Sequence, residues 1–314
     1  MPAITNGQGY YGSGGFLSLN VISGGSCSPY DPTALDWFTA VEANGSTITT
    51  YNKIVFNTAI LDMKGLLDGS PNNPNKTNFF SSFTQACFLF GVEGTNALSS
   101  IFIPFVNTTG VSPINNNFTT SDYSKLVGLS QRGSEIGADN RYINTQISNA
   151  DNTNLPRYNR HTLVYVNGLA TPTSGVATLG SVYGGGGGAS NRYWACTTGL
   201  GSTSLVFRNN GNATRSISVA PATPYVGSFC ATETSQNIFD LYVAGNEVLG
   251  SQTMTSSGTN AGNLYIGSDN NAGSIGTNIL SFYSLGTLLP SDYDLSTNEL
   301  YLNKILKTLI SSLK

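Results

Sequence analysis

The sequence predicts a mainly β protein built as a two-sheet sandwich, and three observations carry that expectation. Only 10% of the 314 residues are charged, against 36 Gly, 16 Tyr and 15 Phe, and about a quarter is usual for a soluble domain. From residue 79 onward, short apolar runs alternate with Asn-Gly, Gly-Gly and Asp-Asn-Asn turn signals, the cadence of antiparallel strands. Helical periodicity is confined to two flanking stretches, near residues 31–67 and 296–314. A disordered chain would lack the aromatic content and carry more net charge.

Residues 1–30 are rich in Gly, Ser and Tyr and read as an extended arm. Its apolar run from Phe16 through Leu17 and Leu19 to Ile22 is expected to dock as a strand on a neighbour. Asp31–Pro32 then starts a helix, an N-cap with proline in the first turn. Leu35, Phe38 and Val41 follow at helical spacing, and Asn44–Gly45 ends it. A second helix begins near Thr50. Phe56, Ile60, Met63 and Leu67 share one face, and Asp68–Pro71 is expected to stop it. The arm and hairpin (1–78) thus form an attachment region, and 79–314 a sandwich ending in a helix.

Candidate strands are the apolar runs Cys87–Val92 and Ile101–Val106, then 140–147, 161–167, 176–183, 192–197, 203–208, 214–219, 225–232, 237–243, 247–254, 262–267 and 278–286. At the end, Ser296 and Glu299 have capping-box spacing, with Leu295 and Leu300 at staple positions. Leu302, Leu306 and Leu309 lie on an apolar helical face that has to pack on this chain or on a partner. Together with Phe16, Leu17 and Leu19 they are the candidate assembly residues.

Composition excludes several functions. A net charge of −3 with 14 Lys and Arg gives no basic footprint for nucleic acid. No run reaches the ~18 apolar residues of a membrane span, and the first residues lack a signal-peptide pattern. Synthesis in a cytoplasm is therefore expected. The four cysteines are far apart, so they are read as separate thiols. A single histidine, His161, argues against zinc and against a Ser–His–Asp site, and is expected at a strand edge near the surface. Glycoside hydrolysis needs a carboxylate pair, but the six glutamates are scattered and no E-x-D-x-x-E run occurs. No enzyme activity and no cofactor are expected. The run Gly184–Gly188 lacks the Lys-Ser/Thr and the following helix of a phosphate loop. Asp139 and Asp151 are calcium candidates without EF-hand spacing. For glycan, the candidates are Tyr193 and Trp194 with Asp269 and Asn270, because sugar rings stack on aromatic faces while amides hold hydroxyls. Trp194 in a strand core is the competing reading.

Three groups of segments carry a family likeness. The runs Phe239–Val248, Gly262–Ser268 and Ile279–Gly286 resemble the last strands of the concanavalin A-like, laminin-G-like jelly roll. The stretch Thr120–Leu129, followed by Arg132–Ser134 and Arg141–Tyr142–Ile143–Asn144–Thr145, resembles a motif of phage appendage proteins with that sandwich. The helical segment ending at Leu66–Leu67–Asp68–Gly69 is similar to the same group. The sequence departs from the motif at Lys125, where Arg is usual, and in the longer turn Glu135–Asp139. The resemblance implies a concanavalin A-like jelly roll with an N-terminal helical hairpin and a C-terminal amphipathic helix. It further implies a virion structural protein. Tail or head fibres that contact the host surface are one version, and capsid decoration or cement proteins that bridge capsomers are the other. Its expected partners are other virion proteins, further copies of itself (a homo-oligomer, with a trimer favoured) and a host-surface glycan.

Overall fold

A computed structural model describes residues 28–131, 141–148, 150–151, 153–156, 158–169, 226–235, 238–243, 245–247, 252–253, 262–267 and 278–314. It also gives the backbone of five further strands, β1 (Gln8–Gly9), β2 (Leu17–Ser18), β10 (Val182–Gly184), β11 (Ser204–Arg208) and β12 (Thr214–Ser218). β1 pairs with β2 and β11 with β12, each pair antiparallel.

Helix α1 (Pro32–Ala43) starts as its sequence dictates. The Asp31 carboxylate accepts the Thr33 N–H at 2.9 Å, Pro32 fills the first turn, and Lys64 bonds the same carboxylate oxygen at 2.7 Å. Its buried face is Ala34, Trp37, Phe38 and Val41, whereas Leu35, expected inside, is exposed. Helix α2 (Thr50–Met63) buries Phe56, Ile60 and Met63 as predicted. It ends before the Asp68–Pro71 stop. Gly65, at φ 69°, donates to Asp62 O and Leu66 donates to Leu61 O, the paired bonds of a left-handed helix end. A Cβ on Gly65 would lie 2.1 Å from Lys76 O, so both conformation and space require glycine there.

The large antiparallel sheet runs β19 (Tyr293–Asp294), β20 (Glu299–Leu300), β15 (Asn246–Glu247), β14 (Ile238–Val243), β13 (Gly227–Ser235), β9 (Arg160–Leu169), β18 (Asn278–Thr287), β3 (Phe83–Phe88), β4 (Val106–Asn107). β16 (Gln252–Thr253) joins it on β14, and β7 (Gly128–Ser130), paired with β6 (Tyr123–Ser124), joins it on β18. The small antiparallel sheet runs β10, β17 (Asn263–Ile266), β8 (Tyr142–Ser148), β5 (Ile114–Asn116).

Because side chains alternate along a strand, the large sheet presents two buried faces. On β3, Phe88 faces the helices. Its ring lies 5.4 Å from Trp37 and 4.9 Å from Phe56, and stacks on Phe105 at 4.2 Å. Gln85, on the opposite face, accepts from Tyr283 Oη at 2.9 Å and donates to Thr145 O of the small sheet. Between the sheets lie Val164, Val166, Ile143, Ile147, Leu264 and Ile266, all buried. The layers are therefore helices, large sheet and small sheet around one continuous apolar core, the mainly β sandwich class the sequence predicted. The helical hairpin shares that core with the strands that follow residue 78.

The last helix, α4 (Tyr301–Ser312), does not start at the predicted capping box. Residues 293–300 form a hairpin, with Tyr293 opposite Leu300 and Asp294 opposite Glu299. Ser296 bonds Asp294 Oδ1 through both its N–H and its hydroxyl, and the Glu299 carboxylate accepts from Asn303 Nδ2 at 2.7 Å. The strand pairing occupies the residues a cap would use, and Leu295 is left 84% exposed rather than stapled. Leu302, Leu306 and Leu309 are buried, with the helix against α2 and β13. These three expected assembly residues are therefore consumed by this chain's own core, because α4 closes the layer that α2 begins.

Candidate functional site

The strongest candidates for chemistry are buried. His161 is fully buried on β9 and does not lie at a surface strand edge, because β9 is flanked by β13 and β18 and capped by Phe83. Its Nδ1 lies 2.6 Å from Thr287 O and its Nε2 3.0 Å from Ser284 Oγ. A carbonyl only accepts, so Nδ1 carries the proton and Nε2 accepts from Ser284. Burial pulls the imidazole down to about 4, opposed by the bond to Thr287. One residue earlier, Arg160 points to the opposite face and meets Glu233 at 3.2 Å, with side chains 0% and 1% exposed. Glu233 thus balances a buried guanidinium. Cys87 is buried beside Tyr283 Oη, and burial pushes its thiol up to about 12.

Asp151 forms a turn. Its carboxylate accepts from Thr153 N, Asn154 N and Asn154 Nδ2. Burial raises its pKa, but these bonds outweigh it and hold the group below the usual range. Among the described residues no group of three or more His, Cys, Asp or Glu side chains is placed to hold a metal. Tyr193, Trp194, Asp269, Asn270, Asp139, Phe16 and Leu19 lie outside the described residues, and only the backbone of Leu17 is described, in β2.

A surface that sequence reasoning missed is the outer face of the small sheet. Along β8, Ile143, Thr145 and Ile147 turn inward and are buried, while Tyr142, Asn144 and Gln146 turn outward. On β17, Leu264 and Ile266 turn inward, and Asn263 and Tyr265 outward. The strands pair Tyr265 with Asn144, which sets Tyr142 diagonal to Tyr265. The two rings meet edge to face, 5.2 Å apart at 88°. Burial, then the proximity of Tyr142, raises the Tyr265 phenol. Asn263 Nδ2 donates to Asn144 Oδ1 at 3.2 Å.

The backbone beside this pair is irregular. Asn263 pairs with Ser148 and Tyr265 with Asn144, so Thr145, Gln146 and Ile147 all stand opposite Leu264. Gln146 has φ 58°, uncommon for a side chain of that kind. Asn144 Oδ1 accepts its N–H at 2.9 Å, Thr145 Oγ1 donates to Leu264 O, and Gln146 Nε2 donates to Ser112 O. Bulges and left-handed non-glycine residues cluster where a strand aims side chains at a ligand. The signal was present in the sequence as the strict alternation of Tyr142–Ile147 and Asn263–Ile266.

Two of the concavities among the described residues lie elsewhere. One, about 430 Å³, runs between α1 and β4 over Trp37, Phe80 and Phe105, with Asp36 and Asn107 at its edge. The other, about 290 Å³, lies beside Tyr123 and the Lys125–Glu93 ion pair.

No protein-family model matches this chain, and no curated protein sequence does. Among solved structures it is similar to Trypanosoma rangeli sialidase, with TM-score 0.47 and 13% identity, covering 80% of this chain and 38% of that one. It is similar to the binding domain of botulinum neurotoxin serotype D, with TM-score 0.44 and 12% identity, covering 75% and 52%. It is also similar to the CBM40 of Ruminococcus gnavus IT-sialidase, with TM-score 0.32 and 13% identity, covering 59% and 99%. The chain spans less than two thirds of the length of the first two.

Proposed function

We propose that this chain is a binding module whose outer small-sheet face contacts glycan, carried on a phage virion as a fibre or adhesin that touches the host surface. The observation that supports glycan contact is the Tyr142–Tyr265 pair among the outward amides Asn144, Asn263 and Gln146. Such a surface gives a sugar ring an apolar platform and its hydroxyls both donors and acceptors. The virion placement rests on the resemblance carried by Thr120–Thr145, and that segment contains Tyr142 and Asn144.

The reading gives no acid–base role to His161 or Glu233. His161 is sealed and neutral at ordinary pH, and Glu233 is held by Arg160. Capsid decoration is the second reading, favoured by the arm, whose strands β1 and β2 pair with each other and join neither sandwich sheet. The test is binding of the isolated protein to host cells, with Tyr265→Ala and Trp194→Ala as variants. Cell binding lost in either variant supports the adhesin. No binding, with particles that burst when the protein is absent, overturns it in favour of a cement.

A further inference from the structure

We infer that the ligand of the small-sheet face is a neutral oligosaccharide rather than an anionic one bearing carboxylate or sulfate groups. This inference rests on the glycan-binding reading and adds the chemical class of the ligand.

Charge favours a neutral ligand. No described outward side chain of β5, β8 or β17 is charged. An anionic sugar brought onto these described residues would lose water from its carboxylate without gaining a cationic partner among them. The cation adjoining the face in sequence is Arg141, directly before Tyr142. Its Nε is bonded to Asp122 Oδ2 at 2.9 Å, and the Asp122 side chain is fully buried, so that charge is already balanced. At the other end of β8 the chain turns through Asp151, whose N–H donates to Ser148 O. Its hydrogen bonds hold that carboxylate ionised. That carboxylate repels an anion brought to this end of β8.

The polar groups of the face match hydroxyls as well. Beyond the bonds made within the face, Asn144 keeps its Nδ2 donors, Asn263 and Gln146 keep their side-chain oxygens as acceptors, and the two phenols offer both, together the complement of hydroxyl groups. The extent of the face points the same way. The four strands of the small sheet, at about 4.8 Å spacing, make a face about 14 Å wide, which suits a chain of several rings better than one terminal residue.

The experiment is titration of the full chain with neutral oligosaccharides (gluco-, galacto- and manno-configured) and, separately, with sialyllactose and an oligouronate. Neutral probes are expected to bind with an affinity that barely changes between about 50 and 500 mM NaCl, since no ion pair forms to be screened. Tyr142→Ala and Tyr265→Ala are expected to weaken binding by about tenfold or more, the loss of a packed anchor. Tyr265→Phe, which keeps the ring contact and the fold, is expected to lose less. Binding of the anionic probes alone, weakening with salt, would overturn this inference and leave glycan binding standing. Binding of neither class would overturn the functional reading itself.

Discussion

The Nδ1 of His161 lies 2.6 Å from the carbonyl oxygen of Thr287, which fixes the tautomer of a histidine sealed between three strands. The folded imidazole titrates at about 4 and an unfolded one near 6.5. Folding therefore favours the neutral ring. Its contribution is complete above pH 6.5 and is lost as pH falls from 6.5 towards 4, because the unfolded chain binds the proton first. At about 1.4 kcal/mol per pKa unit, the loss is about 3 kcal/mol. Urea unfolding at pH 7 and pH 4.5 is expected to show this for the native chain. His161→Gln should be less stable at pH 7 but lose less on acidification. A gap between the two proteins that stays constant with pH would contradict the assignment.

Arg160 and Glu233 balance one another inside the sandwich at 3.2 Å. Glu233→Ala removes this partner from a buried guanidinium and is expected to cost about 3–5 kcal/mol. Replacing both, as Arg160→Met with Glu233→Leu, is expected to cost less than the single change. Equilibrium unfolding of the three proteins checks this, and a single-variant cost below about 1 kcal/mol would show that the charge is already solvated.

The helical layer is joined to the large sheet through Phe88, which stacks on Phe105 and touches Trp37, Phe56 and Phe282. Phe88→Ala is expected to lose about 3–5 kcal/mol. Gly286→Ala should also be strongly destabilising, since a Cβ there would sit 1.8 Å from the backbone oxygen of Ser82. Thermal unfolding of both variants is the measurement.

Asn303 ties α4 to the sheet, accepting the Ser228 N–H at 2.8 Å and donating to Glu299 at 2.7 Å. Asn303→Ala leaves the Ser228 N–H buried without its acceptor, at a cost of about 1–3 kcal/mol. Hydrogen exchange reads this directly. The Ser228 amide should exchange faster in the variant, and unchanged protection would contradict the role.

Strands such as β8, β9, β13 and β18 could be read because turn residues mark their ends, whereas the run Ile101–Val106 enters a strand only at Val106 and the strand expected at 192–197 lies outside the described residues. The α2 face could be read because Phe56, Ile60 and Met63 repeat at helical spacing. Other features depend on pairing between distant segments, which a local pattern does not carry. The Ser296–Glu299 spacing suits a cap, but the same residues suit a hairpin turn, and pairing with β19 decides. His161 opens its strand run and so resembles an edge residue. It is buried because β13 and β18 flank that strand. Tyr142 and Tyr265 are each half-buried residues on separate strands, and the register of β8 against β17 is what makes them a pair.

That pair is also the account's most direct point of test. Glycan-array binding should be compared for the native chain and for Tyr265→Ala shown to unfold at a similar temperature. Neutral-glycan signals are expected for the native chain and should disappear in the variant. Signals of equal strength in the two proteins would contradict it.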